Sequence, residues 1–436
     1  MNSHSKPHVA IIGGGYAGMA AAVTLAARAV PVTVFESAKQ LGGRARGVMH
    51  NGVQLDNGQH ILLGCYRHTP KVIEQAGGNI DEDFLHLPLQ LTLYGRFELK
   101  APSLPAPLHL LVGLLQARGL SFAQRLAAMR FMLHLRHIRF TLPQDITALE
   151  LLYARRQDET LIRLLWEPIC IAALNTPAHK ASAQVLLNVL RDSLHGSSSD
   201  SDILLPRINY SALFPDRAAA YIAHHGGKVL TSCGVEAITQ QKDEIDLSGE
   251  GWKLRFSHVI CAASAASSAR LLHGMPLLGG IARQIEALTY QPIYTLYLQY
   301  PQAVCLPQPM LGLDRCFAQW LFDKGQIAGQ HGLIAAVISA EGNHQELAHE
   351  QLAQKVTQEL REQLGITEAP LWSQTIAEKR ATFSCTPGLS RPARKTPLPN
   401  LLLAGDYTAG AYPATLEGAV MSGIQCAEDL LRKISP

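Results

Sequence analysis

Three glycines and one carboxylate give the sequence its first chemical reading. In Gly13-x-Gly15-x-x-Gly18 the first glycine permits a sharp turn, the second lets main chain approach a diphosphate, and the third lets a helix pack close on a strand. Glu36, roughly 20 residues further on, is placed to accept the two hydroxyls of an adenosine ribose. Its charge would repel the 2′-phosphate of NADP. Elements able to position these groups surround them. His8-Val9-Ala10-Ile11-Ile12 is an apolar run of the kind that makes a buried strand, Met19 to Arg28 is an alanine-rich helix, and Val32-Thr33-Val34-Phe35-Glu36 is a second strand. The free N–H groups at the start of that helix suit a diphosphate. Strand, turn, helix, strand and acid in this order predict a dinucleotide site contacted by Gly13, Gly15, Tyr16, Ala17, Gly18, Glu36 and Ser37.

The next stretch, Leu41-Gly42-Gly43-Arg44-Ala45-Arg46, resembles the second glycine motif of a flavoprotein superfamily that includes amine oxidases, carotenoid desaturases and protoporphyrinogen oxidases. The resemblance implies FAD as cofactor, with Gly43 beside its diphosphate and Arg44 adding positive charge. Asn400 to Asp406 reads as a buried strand ending in Gly405-Asp406, which resembles the final FAD motif of the same superfamily; Asp406 would accept from a ribityl hydroxyl. The resemblance further implies that Asn57, Gly58, Gln59 and His60 run along the isoalloxazine and that main chain at Val235 meets the adenine. A helix expected from Pro413 to Leu430 would point its first turn, near Thr415 and Leu416, at the flavin pyrimidine. A helix N-terminus there stabilises the negative charge of reduced flavin by about 0.3–1 kcal/mol.

Longer strings narrow the resemblance to hydroxysqualene dehydroxylases, the squalene-associated FAD enzymes of hopanoid pathways. They are Leu55 to Tyr66 (LDNGQHILLGCY), Trp166 to Thr176 (WEPICIAALNT), and Leu205-Pro206-Arg207 with Leu213-Phe214-Pro215-Asp216. That family implies reductive removal of the hydroxyl of hydroxysqualene to give squalene. An acid must protonate the departing hydroxyl; His60 is the first candidate and Asp56 the second, from where their segment runs. Competing readings are an isoprenoid desaturase, an amine oxidase, disfavoured because no aromatic cage is evident, and a non-catalytic prenyl carrier of the kind that shares this fold. The sequence names no electron donor.

Composition bounds the rest. A chain of 436 residues can bury two substantial cores, and a net charge of +3 is too mild to imply nucleic acid. Charged residues make up 17% against 47% hydrophobic, and the mean hydropathy of +0.06 suits an apolar substrate or a membrane surface. Met1 to Pro7 lacks the apolar core of an export signal, and no run approaches the ~18 apolar residues of a membrane span, which predicts a cytoplasmic protein. The 8 cysteines are dispersed without metal-ligand spacing and read as free thiols; no metal site is expected. Cys385, upstream of the final motif, is expected to be a free thiol and not a flavin attachment point.

The expected fold is α/β: a Rossmann-like FAD-binding domain formed by residues 1–95, 205–275 and 395–436, interleaved with a mixed α+β substrate domain formed by 96–204 and 276–394. Hairpin strands are expected around Asn51-Gly52, and Trp252–Phe256 and His258–Ala263 are expected to complete the sheet of the first domain. Pro292 to Leu298 alternates like a half-buried strand, Leu333 to Ser339 reads as another, and His349 to Leu364 as an amphipathic helix. Helices between Leu149 and Leu194 are expected to roof a substrate cavity. Leu99 to Gln144 contains no acid but carries Lys100, Arg118, Arg125, Arg130, Arg136 and Arg139. Its two expected helices, Leu108 to Ala117 and Ser121 to Phe140 within the portion 104–140, have the composition of an anchor on an anionic membrane, here the inner face of the cell membrane. A solvated basic face on core helices is the alternative.

Overall fold

The computed structural model describes residues 7–194 and 196–434. Met1 to Lys6, part of the stretch read above as free of an export signal, lie outside the described residues. The alternation of short apolar runs with helices produces a five-stranded parallel sheet in the order Lys228–Leu230, Val32–Phe35, Val9–Ile12, His258–Cys261, Leu401–Leu403. Parallel strands need covered faces, and these are buried apart from the first, edge strand and His258. The alanine helix Tyr16–Ala26 packs on the sheet, and Leu416–Ile434 packs on that helix. Gly18 makes the helix-to-strand approach: a Cβ there would stand 2.0 Å from Gly13 O.

Trp252–Phe256 does not join the parallel sheet. It pairs antiparallel with Glu244–Gly249, which pairs with Ala237–Gln241, as a separate three-stranded sheet. The reason is local: Lys242-Asp243 and Glu250-Gly251 are two-residue connections, which close hairpins, whereas a parallel neighbour requires a crossover. The Trp252 ring instead stacks on Phe35 at 4.9 Å and 9°.

A seven-stranded mixed sheet carries the rest, in the order Trp372–Phe383, Tyr290–Gln299, Leu333–Ser339, Trp320–Asp323, Met310–Gly312, Gln90–Leu93, Phe97–Lys100. Tyr290–Gln299 is not half-buried as its alternation predicts. It is an interior strand with antiparallel neighbours on both sides, and most of its residues are buried. The last two strands form one hairpin of this sheet, so a division of the chain at 95/96 runs through its turn. A third, small sheet orders Leu62–Leu63, Ile203–Pro206 and Phe84–Leu87, which puts the boundary at 205 inside a strand.

Helices Leu108–Gln116 and Phe122–His137 form the expected hairpin, the second started by a capping box between Ser121 and Gln124. Ala148–Ala154, Glu159–Leu161, a π-helical turn Ile162–Trp166, Glu167–Leu174 and Ala183–Leu194 complete a helical layer with its own apolar core. The Asn51-Gly52 hairpin is present between Gly47–His50 and Val53–Asp56. Among the described residues, no helix is long and apolar enough to cross a membrane.

Candidate functional site

One continuous cavity of about 660 Å³ begins at the carboxyl ends of the parallel strands and runs under the helical layer. Its first part is walled largely by main chain. Gly13 has φ +107°, and a Cβ there would stand 2.6 Å from Ala262 O, so only glycine can leave the strand at this angle. Gly15 is the N-cap of the helix Tyr16–Ala26, and no side chain caps it among the described residues. The free N–H groups therefore face the cavity. Gly15 bridges to Gly42, and a Cβ on Gly43 would approach Gly15 Cα to 3.4 Å, so the two glycine motifs form a single slot. Glu36 stands at its far end, accepting from Gly14 N–H at 2.7 Å and Ala38 N–H at 2.8 Å. Ser37 and Val235 line the cavity beside it.

This arrangement fits FAD. A carboxylate for the ribose, side-chain-free backbone and a helix N-terminus for the diphosphate, and a third zone for the flavin follow one another along the same cleft. Of the residues expected to hold the cofactor, Gly13, Gly15, Tyr16, Ala17, Glu36, Ser37, Gly43, Arg44, Asn57, Gly58, Gln59, His60, Val235, Gly405, Asp406, Thr415 and Leu416 all line the cavity. Gly18 does not; its work is the packing described above. Ala262, Ala263 and Ser264 also line it and were not anticipated, although they follow a strand at the carboxyl edge where such contacts belong.

The middle of the cavity is held by a set of fixed bonds. Arg44 donates to Asp406 Oδ1 and to Ala381 O, each at 2.6 Å, which ties the second glycine motif to the last. The Asp406 charge holds the guanidinium above its ordinary value, against the opposing effect of burial. Gly405 N–H donates to Ser422 Oγ at 2.8 Å, docking the last strand on the last helix. The loop Asn57 to His60 is pinned from behind: Tyr297 Oη donates to Asp56 O at 3.0 Å and accepts from Asp56 N–H at 3.2 Å, and Tyr210 Oη donates to His60 O at 2.6 Å.

These bonds revise the expected proton donors. Asp56 is 3% exposed, does not line the cavity, and accepts from Tyr210 N–H at 2.9 Å. Burial raises its pKa to about 6, opposed by the Lys324 charge and the Tyr210 bond. It organises the loop from behind and cannot touch a substrate. His60 does face the cavity, with its ring edge-on to Tyr210 at 5.1 Å. Burial, then the Arg44 charge, lowers its pKa to about 4, so at neutral pH the imidazole is uncharged and holds no proton of suitable acidity. Lys324, which the sequence reading missed, is 4% exposed and reaches Gln59 Oε1 at 3.5 Å behind the same loop.

Glu417 is another buried charge the sequence did not announce. From the first turn of Leu416–Ile434 it accepts from the N–H groups of Arg67, His68 and Thr69, from His68 Nδ1 and from Thr69 Oγ1, at 2.6–3.0 Å. Burial opposes the charge, but the bonds from His68 and Thr69 outweigh it and hold the carboxyl below its usual value. The last helix thereby caps the helix His68–Gln75 and locks the start of its own first turn, with Thr415 and Leu416, against the cavity.

Beyond this zone the walls become apolar. Leu110 and Leu114, Met132, Trp166, Ile169 and Leu190 come from the helical layer, and Ile293, Trp320 and Phe322 from the seven-stranded sheet. The helical roof expected from Leu149 to Leu194 is present. Asp192 and Tyr412 also face this chamber, and neither carried a signal in the sequence. All 8 cysteines are free; Cys385 is buried and does not line the cavity. Among the described residues no group of three or more His, Cys, Asp or Glu side chains gathers as a metal site.

The family described as flavin containing amine oxidoreductase matches residues 16–431. The hydroxysqualene dehydroxylase of Rhodopseudomonas palustris is 28% identical, over 97% of this chain and 98% of that one. The zeta-carotene desaturase of Arabidopsis thaliana is 23% identical, over 97% of this chain and 85% of that one. The solved structure of cyclohexylamine oxidase from Brevibacterium oxydans shares the fold, with a TM-score of 0.71 at 17% identity, covering 99% of this chain and 100% of that one.

Proposed function

The chain belongs to the flavin containing amine oxidoreductase family and is an FAD-dependent oxidoreductase, and we propose that within this family it removes the hydroxyl of hydroxysqualene reductively to give squalene. The observation that carries the reading is the continuity of the cavity: a dinucleotide cradle opens, without a partition, into a long apolar chamber. The match to hydroxysqualene dehydroxylases along nearly the whole chain supports it.

Reduced FAD, when bound, would supply the hydride that replaces the hydroxyl, and one proton must join that hydroxyl for it to leave as water. The chain supplies position and environment. The glycine slot and the helix start at Tyr16 bind the diphosphate, Glu36 fixes the ribose, and Asn57 to His60 and the Thr415–Leu416 turn bracket the isoalloxazine. The apolar chamber excludes water from the carbon that loses its oxygen. His60 acts there as a neutral hydrogen-bonding group beside the reacting zone. We expect His60→Ala to keep its FAD and lose turnover; unchanged turnover would remove His60 from the reaction.

The deciding experiment is product analysis. Holoenzyme reduced with dithionite and given hydroxysqualene should form squalene and regain oxidised flavin absorbance; no squalene, with phytoene or squalene consumed oxidatively instead, would favour the desaturase reading that the zeta-carotene desaturase likeness keeps open. A protein that carries no redox-active flavin would point to a prenyl carrier.

Delivery of so apolar a substrate is assigned to the helical hairpin on the cytoplasmic face of an anionic membrane. Leu110 and Leu114 of the helix Leu108–Gln116 line the chamber, while Leu108 and Leu115 of the same helix are exposed, beside exposed Phe122, Arg118 and Arg130. Exposed apolar side chains and cations on one helical hairpin suit an acyl–headgroup boundary. Vesicles containing anionic lipid should sediment the protein at low salt, and failure to do so would discard this placement.

A further inference from the structure

Asp192 and Tyr412 do not match the walls around them. Asp192 lies on the helix Ala183–Leu194, whose Val189 and Leu190 also face the cavity. Tyr412 lies in the segment before Leu416–Ile434, and Asn188 Nδ2 donates to Ala411 O at 3.2 Å, which fixes helix and segment to each other. The other carboxylates that line the cavity, among the described residues, belong to the cofactor end: Glu36 is bonded to Gly14 and Ala38, Asp406 to Arg44, and Glu378 acts on the Arg44 charge. Asp192 is the remaining carboxylate of the lining, among the described residues. Arg191 Nε donates to its Oδ1 at 2.7 Å.

Its neighbours retain their protons. Burial, then the Asp192 charge, holds the Tyr412 phenol above its ordinary value, and Asp192 is also its hydrogen-bonding partner. The Cys65 thiol beside them is pushed up to about 12 by burial and then by Asp192. The Tyr66 ring meets that of Tyr412 edge-on at 6.3 Å and 79°, giving the pair an apolar flank. The site thus places a carboxylate acceptor beside a phenol that keeps its hydrogen.

An alcohol needs one of each, because its oxygen both donates and accepts. We propose that Asp192 and Tyr412 form the hydroxyl-recognition subsite of the chamber: the oxygen of an isoprenoid alcohol enters between them and replaces their mutual bond, accepting from the phenol and donating to the carboxylate. The proposal rests on the dehydroxylase reading and adds the feature by which one apolar chamber tells an alcohol from a hydrocarbon of the same length. A hydrocarbon would bury both groups without giving them a new partner, so the product, lacking the oxygen, loses its anchor. The pair makes and breaks no bond.

The test is a binding ratio. FAD-loaded protein in detergent micelles is titrated with hydroxysqualene and with squalene, following the perturbation of flavin absorbance. Wild type should hold hydroxysqualene about tenfold or more tighter than squalene, the effect of hydrogen bonds to a charged group. In Asp192→Asn and in Tyr412→Phe that ratio should shrink to about threefold or less, with FAD content and squalene affinity unchanged. Either variant keeping the wild-type ratio, or losing affinity for both ligands alike, overturns the proposal. So does an equal loss of discrimination in Leu190→Ala, which alters the same helix without touching a polar group. Should Asp192→Asn lose its flavin, Tyr412→Phe decides alone. A wild-type protein that makes squalene while both variants keep their ratio fails this proposal only; one that neither binds nor converts hydroxysqualene fails the dehydroxylase reading as well.

Discussion

The two ends of the cavity are built by opposite means. The cofactor end is shaped by main chain: Gly13 at φ +107°, the Gly15–Gly42 bridge and an uncapped helix start leave little that a side chain could adjust. The chamber end is shaped by side chains, with Leu110, Leu114, Met132 and Ile169 on helices that a change of residue leaves in place. A surface made of backbone fixes one ligand; a surface made of side chains can be refitted to another. The fold itself is shared with cyclohexylamine oxidase at 17% identity.

The sharpest break in that contrast should come from Gly13→Ala. The added carbon meets Ala262 O at 2.6 Å and forces a side chain into a positive φ, a strain of about 1–3 kcal/mol before the clash is counted. The purified variant should have lost most of its FAD by absorbance. A trim in the chamber should behave differently: Ile169→Val should keep full flavin, lose only about 0.5–1.5 kcal/mol, and change which isoprenoid binds best. A colourless Ile169→Val, or a fully yellow Gly13→Ala, would refute the contrast.

The boundary between the two ends should be nearly as sensitive. Glu417→Ala removes the carboxylate to which Arg67, His68 and Thr69 donate, and a buried network broken in this way costs about 3–5 kcal/mol. Urea denaturation measures it directly. The sign with pH is also fixed. Glu417 has a folded pKa below its unfolded one, so its contribution is complete above the ordinary glutamate value and is lost as pH falls through the lowered folded value. Glu417→Gln should be less stable than wild type at pH 7, with the difference narrowing in acid.

His60 gives a smaller, separable effect. Its folded pKa of about 4 lies below the ordinary 6.5, so the folded state binds fewer protons than the unfolded chain between those values. Wild type should lose stability relative to His60→Gln as pH falls from 6.5 toward 4, and match its slope above 7. Parallel urea midpoints across that range would show that the ring is not buried uncharged. The smallest effect belongs to the outer face of the hairpin, where Phe122→Ser should change stability by less than about 0.5 kcal/mol while weakening attachment to anionic vesicles.

The same contrast governs how much could be read from the sequence. The cradle was legible nearly residue by residue, because main-chain demands appear as glycines at fixed spacing and one acid at the tip of a strand. The chamber was legible only as a region. Leu110 and Leu114 differ in no local way from other buried leucines, and the pattern of Tyr290–Gln299 reads as half-buried because nothing in it announces neighbours on both sides. Asp56 reads as a candidate proton donor from the run of its segment, but its bonds are set by Tyr210 and Tyr297, both distant in the chain. Glu417 and Lys324 were invisible for the same reason: their partners come from other elements.

The edge strand Leu401–Leu403 and the helix Leu416–Ile434 come late in the sequence, yet they close the cleft that the glycines near residue 13 open. During synthesis on the ribosome, the first nucleotide-binding elements must therefore wait, exposed and ligand-free, while the intervening chain is translated. Coenzyme capture is a terminal event of maturation, and supply of the vitamin-derived molecule should influence how much polypeptide survives proteolysis and not the rate at which it is made.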